Sequence, residues 1–187
     1  MRRVLDGRQF IVLPDGGLPV HSRLSAWNAA HSVLLAVDHA DAAAGEAFNC
    51  ADDDQFSLAQ WFAMAAAVAG GELDVIDVPG GTPSPGWATM VFHYSSSPHV
   101  IVDTSKIRRL LHYTDAKPAR DGLAETVEWQ IAHQDQPEWW SVLDPFDYEA
   151  EDAFVAAWRQ ATDSLGPVQS RWQNLTMPLP QTASGSE

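Results

Sequence analysis

The stretch Val100-Ile-Val-Asp-Thr-Ser-Lys-Ile-Arg-Arg-Leu-Leu-His-Tyr-Thr-Asp115, continued by Gly122-Leu-Ala-Glu-Thr-Val-Glu-Trp129, decides the fold. Asp103 can cap a helix, and Val102 and Ile107 stand at the two positions of a hydrophobic staple across its first turn. Apolar residues then recur at helical spacing in two successive segments. They are Ile107, Leu110 and Leu111, and then Leu123, Val127 and Ile131. The pattern predicts a helical hairpin over residues 104–134 that covers a core.

The residue identities in this stretch are more specific for a protein family than its periodicity is. Three phrases, Asp103-Thr-Ser-Lys106, Arg108-Arg-Leu-Leu-His-Tyr113 and Gly122-Leu…Thr126-Val-Glu-Trp129, resemble the C-terminal end of extended short-chain dehydrogenase/reductases. These enzymes are the NAD-dependent epimerase/dehydratase family, which includes the nucleotide-sugar epimerases. The family reads approximately D-x-S-K-x-x-x-x-L-G-[WY]-x-P and then G-L-x-x-T-x-x-W, and here His112 stands where glycine is usual. The resemblance covers roughly residues 1–134.

Composition and charge exclude several classes of protein. The 187 residues suit one domain, and 45% hydrophobic residues are enough for a core. A formal charge of −14 gives little support to nucleic-acid binding. No apolar run reaches the roughly 18 residues of a membrane span, and the N-terminus lacks the apolar segment of a signal peptide. Because Cys50 is the single cysteine, the chain fits a reducing compartment, and we expect a cytoplasmic protein.

The remaining pattern predicts a mixture of helices and short strands. Helices are expected over 26–39 and 57–69, and short strands near 9–13, 46–50, 73–78 and 99–102. The first helix should turn an apolar stripe inward, made of Trp27, Ala30, Val33, Leu34 and Val37. A final helix should be capped by Asp144 and end at about Leu165.

The resemblance implies the fold class. It is α/β: a small mixed domain equivalent to the C-terminal substrate-binding part of an extended short-chain dehydrogenase/reductase, without the complete Rossmann domain. We expect this domain over 1–134, a helical extension over 135–165 and a flexible tail over 166–187. The chain is thus expected to begin in the middle of the family's arrangement.

The resemblance also suggests substrate-binding residues. The segment before the first long helix often contacts the diphosphate or sugar of the substrate in the family, which makes His21 and Arg23 candidates. The alternative is a solvated arginine and a half-exposed histidine beside a helix. The long 79–99 loop resembles the family's cover over the pocket, with Trp87 available for stacking on a base or sugar and His99 for an ionic contact. These aromatic residues could instead simply cover the core.

No catalytic, cofactor-binding or metal-binding residue is predicted. The cofactor half of the family has a Gly-rich strand–turn–helix for the pyrophosphate and a Tyr-x-x-x-Lys acid/base pair, and we expect this chain to lack both. The seven histidines have no zinc-ligand spacing. The resemblance implies NAD or NADP for the complete enzyme, with no cofactor bound by this chain alone.

The sequence therefore predicts the substrate-binding portion of an NAD(P)-dependent epimerase, dehydratase or reductase. Its substrate would be a sugar nucleotide or a similar polar metabolite, and the chain would not be catalytic by itself. Two alternatives are a non-catalytic ligand-binding module and a piece that docks on a Rossmann-domain partner or forms a homodimer. A docking piece should leave an apolar face exposed.

Overall fold

The computed structural model describes residues 1–85, 99–134 and 146–173, and in this part of the chain it contains seven α-helices and two β-strands. The helices are α1 (Arg2–Leu5), α2 (Ala26–Asp38), α3 (Ala40–Ala43), α4 (Leu58–Val68), α5 (Ser105–Leu111), α6 (Ala119–Ala132) and α7 (Tyr148–Gln173), and the strands are β1 (Phe10–Pro14) and β2 (Asp74–Val78). Met1–Phe146 cluster as one compact unit, and α7 belongs to a second unit that begins at Asp147. The mixed α/β class is confirmed, whereas the boundaries at 134 and 165 stay predictions.

Strands β1 and β2 lie where strands were expected, near 9–13 and 73–78. They pair with each other in parallel. Phe10 pairs with Asp74 and Pro14 with Val78. Buried Ile11 and Leu13 of β1 pack with Leu58 of α4. Gly17, in the turn after β1, has a φ of 66°, and a Cβ there would lie 2.6 Å from Leu13 Cδ1. This position therefore needs glycine both for its backbone conformation and for the close approach of α4.

The other two expected strands are not formed in the described residues. Residues 46–50 belong to no strand, and residues 99–102 contribute only a single bridge between His21 and Val100. A strand is defined by its ladder of hydrogen bonds to a neighbour, so an apolar run with strand-like composition has no sheet without a partner. The expectation of strands at 46–50 and 99–102 is wrong for this reason.

Helix α4 follows its sequence signals closely. The Ser57 side chain accepts from Gln60 N at 3.2 Å, while the Gln60 side chain accepts from Ser57 N at 2.8 Å. The rings of Phe56, just before the helix, and Trp61, in its first turn, form a hydrophobic staple, an edge-to-face contact with centroids 5.6 Å apart. Gly70, with a φ of 84°, follows the helix end. These signals are local, which is why sequence alone predicts this helix.

Helix α2 has the expected position, but the apolar stripe that was predicted to face the core is exposed. Trp27, Val33, Leu34 and Val37 are 57–67% exposed. The buried face instead carries Asn28 and Ser32, and its partly buried Leu35 and Ala36 pack against the cluster of Ile107, Leu111 and Tyr113. A helix that is apolar on opposite faces is typical of an element covered on both sides.

The helical hairpin that decides the fold is confirmed as α5 and α6. Asp103 Oδ1 accepts from Ser105 N at 2.8 Å at the start of α5. His112 ends α5 in the left-handed conformation, with φ 55° and ψ 32°. Glycine is usual at this position in the family that the sequence resembles. Glycine adopts the left-handed conformation without strain, whereas histidine adopts it at a cost in energy.

Helix α7 differs from the prediction at both ends. It begins at Tyr148, and Asp147 Oδ1 accepts from Ala150 N at 3.0 Å. The proposed cap Asp144 lies outside the described residues. The helix continues through Gly166 and Pro167 to Gln173, beyond the expected end near 165. Because one proline removes a single backbone donor, a long helix can accommodate it at a local cost.

Replacing His112 by glycine is expected to raise the free energy of unfolding by about 0.5–1 kcal/mol. The left-handed conformation costs an ordinary residue about 1–2 kcal/mol, whereas glycine loses about 0.5–1 kcal/mol through unfolded-state entropy. Urea unfolding measures the difference. His112→Ala is the control, because it removes the ring contact with His39 but keeps the strain. A similar gain in both variants would show that the backbone conformation is not the cause.

Candidate functional site

The candidate site is built around the buried amide of Asn28, near the start of α2. Its Oδ1 accepts from Ala116 N at 2.9 Å and from Lys117 N at 3.0 Å. Its Nδ2 donates to Lys117 O at 2.9 Å and to Asp52 Oδ1 at 2.7 Å. All four hydrogen-bonding positions of the amide are therefore used. They join the start of α2 to the 50–55 segment and to the connection between α5 and α6.

Asp52 is the second member of this network. It is buried, and both of its carboxylate oxygens accept from Ser25 N, at 3.0 and 3.1 Å. Ser25 also caps α2 by accepting from Asn28 N. Its Oδ1 also accepts from Asn28 Nδ2, so the carboxylate is held by several donors. Asp52 thus places a carboxylate at the edge of a cavity.

The cavity lies within the first unit and has a volume of about 350 Å³. Its walls come from the segment before α2, the 50–55 segment, α4 and α6. The lining residues are Arg23, Leu24, Ser25, Asp52, Trp61, Ala119, Gly122, Leu123 and Thr126. The volume falls in the range of about 300–1,000 Å³ that is typical of small-molecule pockets. The cavity therefore offers space for a ligand between mostly apolar walls and a few polar groups.

Arg23 is the cationic group of this cavity. Its guanidinium lies over the Trp61 ring, with Cζ 5.0 Å from the centroid. The Nε of Arg23 and the Nε1 of Trp61 are both buried and have no hydrogen-bond acceptor among the residues that the structure describes. Buried donors are nearly always paired, either with protein groups or with water, so both N–H groups are placed to donate to a molecule in the cavity.

His21 and His99 lie at the neighbouring bridge between the segment before α2 and the segment before α5. Val100 N donates to Val20 O at 2.9 Å, and Val20 N donates to His99 Nδ1 at 3.0 Å. Burial lowers the pKa of His21, and the positive charges of Arg23 and His99 lower it further. The structure therefore brings together three of the four predicted site residues. Trp87 lies outside the described residues.

The expectation that the chain has no Tyr-x-x-x-Lys spacing is wrong, because Tyr113 and Lys117 have it. The surrounding structure does not make them an acid/base pair. Tyr113 is 1% exposed and donates to Asp115 Oδ1 at 3.1 Å. Burial, followed by the Asp115 charge, raises the pKa of the Tyr113 hydroxyl, the reverse of what proton transfer near neutral pH requires. Lys117 Nζ forms an ion pair with Glu125 and lies 4.2 Å from the Trp27 ring centroid.

Asp115 is held between Tyr113 and the 50–55 segment. It accepts from Asp53 N at 2.8 Å. Burial raises the pKa of the Asp115 carboxyl, and the charges of Asp53 and Asp52 raise it further. Arg108 forms an ion pair with Asp53 and limits the local negative charge. This group fixes the connection between α5 and α6.

Neither a metal centre nor a dinucleotide site is formed by the residues described. They contain no group of three or more His, Cys, Asp or Glu side chains that could hold a metal ion. The Gly16-Gly17 turn follows β1, but the chain then extends to Val20 and His21 rather than entering a helix. A pyrophosphate needs a helix N-terminus at such a turn. None of the helices in the described ranges has the length and apolar character to cross a membrane.

Comparison with solved structures identifies enzymes that share this architecture. The dTDP-glucose 4,6-dehydratase of Bacillus anthracis, in complex with NAD, matches with a TM-score of 0.52 and 14% identity over 76% of this chain and 40% of that one. The UDP-glucuronic acid 4-epimerase of Bacillus cereus, in complex with NAD, matches with a TM-score of 0.50 and 14% identity over 68% and 37%. No protein-family model and no curated protein matches the sequence. The chain thus has the fold of a part of such enzymes and spans about 40% of the first one's length.

Replacing Asn28 by alanine is expected to lower the free energy of unfolding by about 3 kcal/mol or more. Two backbone donors, one carbonyl and the Asp52 carboxylate would lose their partner, and each unsatisfied buried group costs about 1–3 kcal/mol. The matched control is Ser32→Ala, on the same buried face of α2, because the Ser32 hydroxyl donates only to Ala29 O within the helix. Urea unfolding compares the two. Equal losses would contradict the special role of the Asn28 amide.

Proposed function

We propose that this chain is the substrate-binding portion of an NAD(P)-dependent epimerase, dehydratase or reductase that acts on a sugar nucleotide. The observation that carries the proposal is the proximity of His21, Arg23 and His99 in a chain of formal charge −14, with Arg23 lining the cavity. Arg23 supplies a positive charge there, which favours an anionic ligand in an acidic protein. A diphosphate beside the two histidines offers several acceptor oxygens to their ring N–H groups.

The fold comparison agrees with this ligand class. Both structures described above are named for nucleotide-linked sugars, dTDP-glucose and UDP-glucuronic acid. Arg23 lines the cavity and lies close to His21, so a diphosphate beside His21 would direct its attached sugar toward Arg23 and Trp61. Segments 20–22 and 99–102 would hold the phosphates, and the cavity would receive the sugar.

The redox step would depend on groups outside this set of residues. NAD or NADP supplies hydride transfer in the complete enzyme, and the turn after β1 does not fit its pyrophosphate. Tyr113 is buried and its pKa is raised, so it does not supply the acid/base group. In this proposal the chain binds and orients the substrate, while a nucleotide-binding portion supplies cofactor and catalysis.

The outward face of α2 supports docking onto such a portion as a second function. Val33, Leu34 and Val37 are each more than 60% exposed on the side opposite Ser32. The 46–50 segment follows α2 and α3 and belongs to no strand. An exposed apolar helix face, followed in sequence by a stretch of chain outside any strand, fits the surface of an α/β partner that adds a sheet.

Sugar-nucleotide binding is the direct test of the first function. Isothermal titration calorimetry with UDP-glucose and dTDP-glucose should detect binding that tightens by about tenfold from pH 8 to pH 6. The pKa of His21 is lowered in the free protein, and a bound diphosphate would raise it again. The complex then holds more protons than the free protein, so lower pH favours binding.

Variants separate this site from general charge effects. His21→Gln and His99→Gln should weaken binding and flatten its pH dependence. His133→Gln is the control, because His133 stacks on Trp129 at the end of α6. Absence of binding to both sugar nucleotides, or equal effects of all three variants, would rule the proposal out.

The docking function predicts how substitutions on the two faces of α2 differ. Leu34→Lys should change the free energy of unfolding by less than about 0.5 kcal/mol, because most surface substitutions have effects of this size. The same substitution should reduce concentration-dependent association in sedimentation velocity. Leu35→Lys is the matched control and should destabilise the protein, because Leu35 packs against the Ile107 cluster. A wild-type chain that stays monomeric at high concentration, with no effect of Leu34→Lys, would argue against docking.

A further inference from the structure

Several cations of the unit are paired with acidic side chains, and Arg23 is not among them. Lys106 pairs with Glu46, Arg108 with Asp53 and Lys117 with Glu125. Arg23 makes no ion pair with a described residue, although the sequence has 25 acidic residues. Its Nε–H is buried without an acceptor. The edge of a guanidinium formed by Nε and one terminal nitrogen matches the two oxygens of a carboxylate or phosphate.

The other polar groups of the cavity select between these two anions. Asp52 lines the same cavity, and its carboxylate accepts hydrogen bonds from Ser25 N and Asn28 Nδ2. A dianionic phosphate beside it would be repelled more strongly than a singly charged carboxylate. Asp52 and Thr126 can in addition accept hydrogen bonds, since the Thr126 hydroxyl uses its proton on Gly122 O at 2.8 Å and keeps its lone pairs. The cavity therefore combines one cation with acceptors for hydroxyl groups.

The remaining walls suit a ring. Leu24 and Leu123 are apolar, and Trp61 offers both an aromatic surface and an unpaired Nε1 donor. Arg23 follows His21 by two residues, and the two side chains are close enough for their charges to interact. If His21 contacts a diphosphate, Arg23 reaches the sugar attached to it.

We propose that the cavity binds the carboxylate of a sugar acid through Arg23, with its hydroxyls toward Asp52 and Thr126. This rests on the proposed function and narrows its substrate class to nucleotide-linked uronic acids. Trp61 covers the guanidinium and keeps its edge directed at the ligand. Arg23 is thus a specificity residue for the acidic sugar.

Calorimetry with UDP-glucuronate and UDP-glucose tests the proposal, since these ligands differ only in the carboxylate. Wild-type protein should bind UDP-glucuronate at least about tenfold more tightly, a ratio that corresponds to about 1.4 kcal/mol. Arg23→Met keeps the apolar stem and should lose this preference while still binding UDP-glucose. Arg120→Met is the control, because Arg120 also lies over an aromatic ring, that of Phe56 at 5.1 Å, but does not line the cavity.

The outcomes separate the two claims. Equal affinities for the two ligands in the wild type, or a preference that survives in Arg23→Met, overturn the sugar-acid site and leave the proposed function standing. If neither sugar nucleotide binds, the proposed function fails, and free glucuronate decides the remaining question. Binding of glucuronate that is lost in Arg23→Met supports the carboxylate site, whereas no binding overturns it. Urea unfolding of each variant verifies that it is folded.

Discussion

The Asn28 amide is the contact on which the arrangement of the first unit depends. It joins three segments that are far apart in sequence, and its partners are partly buried main-chain groups and the buried Asp52 carboxylate. The connection between α5 and α6 contains Tyr113, Asp115 and Lys117, none of which lies in a helix. Such a connection has no regular backbone pairing of its own, so a side chain has to supply it. The amide provides both donors and acceptors, which a carboxylate in its place would not.

The same contact explains why the cavity exists. Asn28 and Ser25 hold Asp52 at the start of α2, and Asp52 stands at the cavity edge facing α4 and α6. Gly122 allows this approach, because a Cβ there would lie 3.0 Å from Ser25 Cβ. Thr126, one turn further along α6, then faces the same space. The cavity is thus fixed by main-chain capping and helix contacts rather than by loop conformation.

Local signals in the sequence predicted the helices well, whereas elements that depend on partners were mispredicted. The Ser57–Gln60 capping box and the Asp103 contact with Ser105 involve residues within a few positions of each other, so they are readable without the fold. The run at 46–50 has strand composition, but composition does not provide a neighbouring strand. On α2 the apolar residues were identified correctly, yet buried Asn28 and Ser32 decide its inward face. Hydrophobic periodicity assigns an apolar stripe to the core and has no way to recognise a second apolar face.

The candidate site shows the same division between residue type and context. His21, Arg23 and His99 were recognisable as basic residues in a family-like segment, and the structure brings them together across the His21–Val100 bridge. The sequence did not indicate that Trp61 lines the cavity. An aromatic residue in the first turn of a helix is explained by a staple contact alone, here with Phe56. Tyr113 and Lys117 have the spacing of a catalytic motif without its function. The Tyr113 hydroxyl is bonded to Asp115 and the Lys117 amine is paired with Glu125, so the two groups cannot act together. Spacing specifies chemistry only when the backbone between the two residues is the one that the motif assumes.

The cavity and the exposed apolar stripe of α2 are lined by different residues. The cavity is lined by residues of one compact unit, and its polar groups are positioned by contacts within that unit. The exposed apolar stripe lies on the side of α2 opposite Ser32, whose face packs on the core. A partner on the stripe would not need to touch Arg23 or Asp52. Coupling between the two surfaces would then have to pass through α2 itself, from its outward residues to the Ser25 cap and the Asn28 amide.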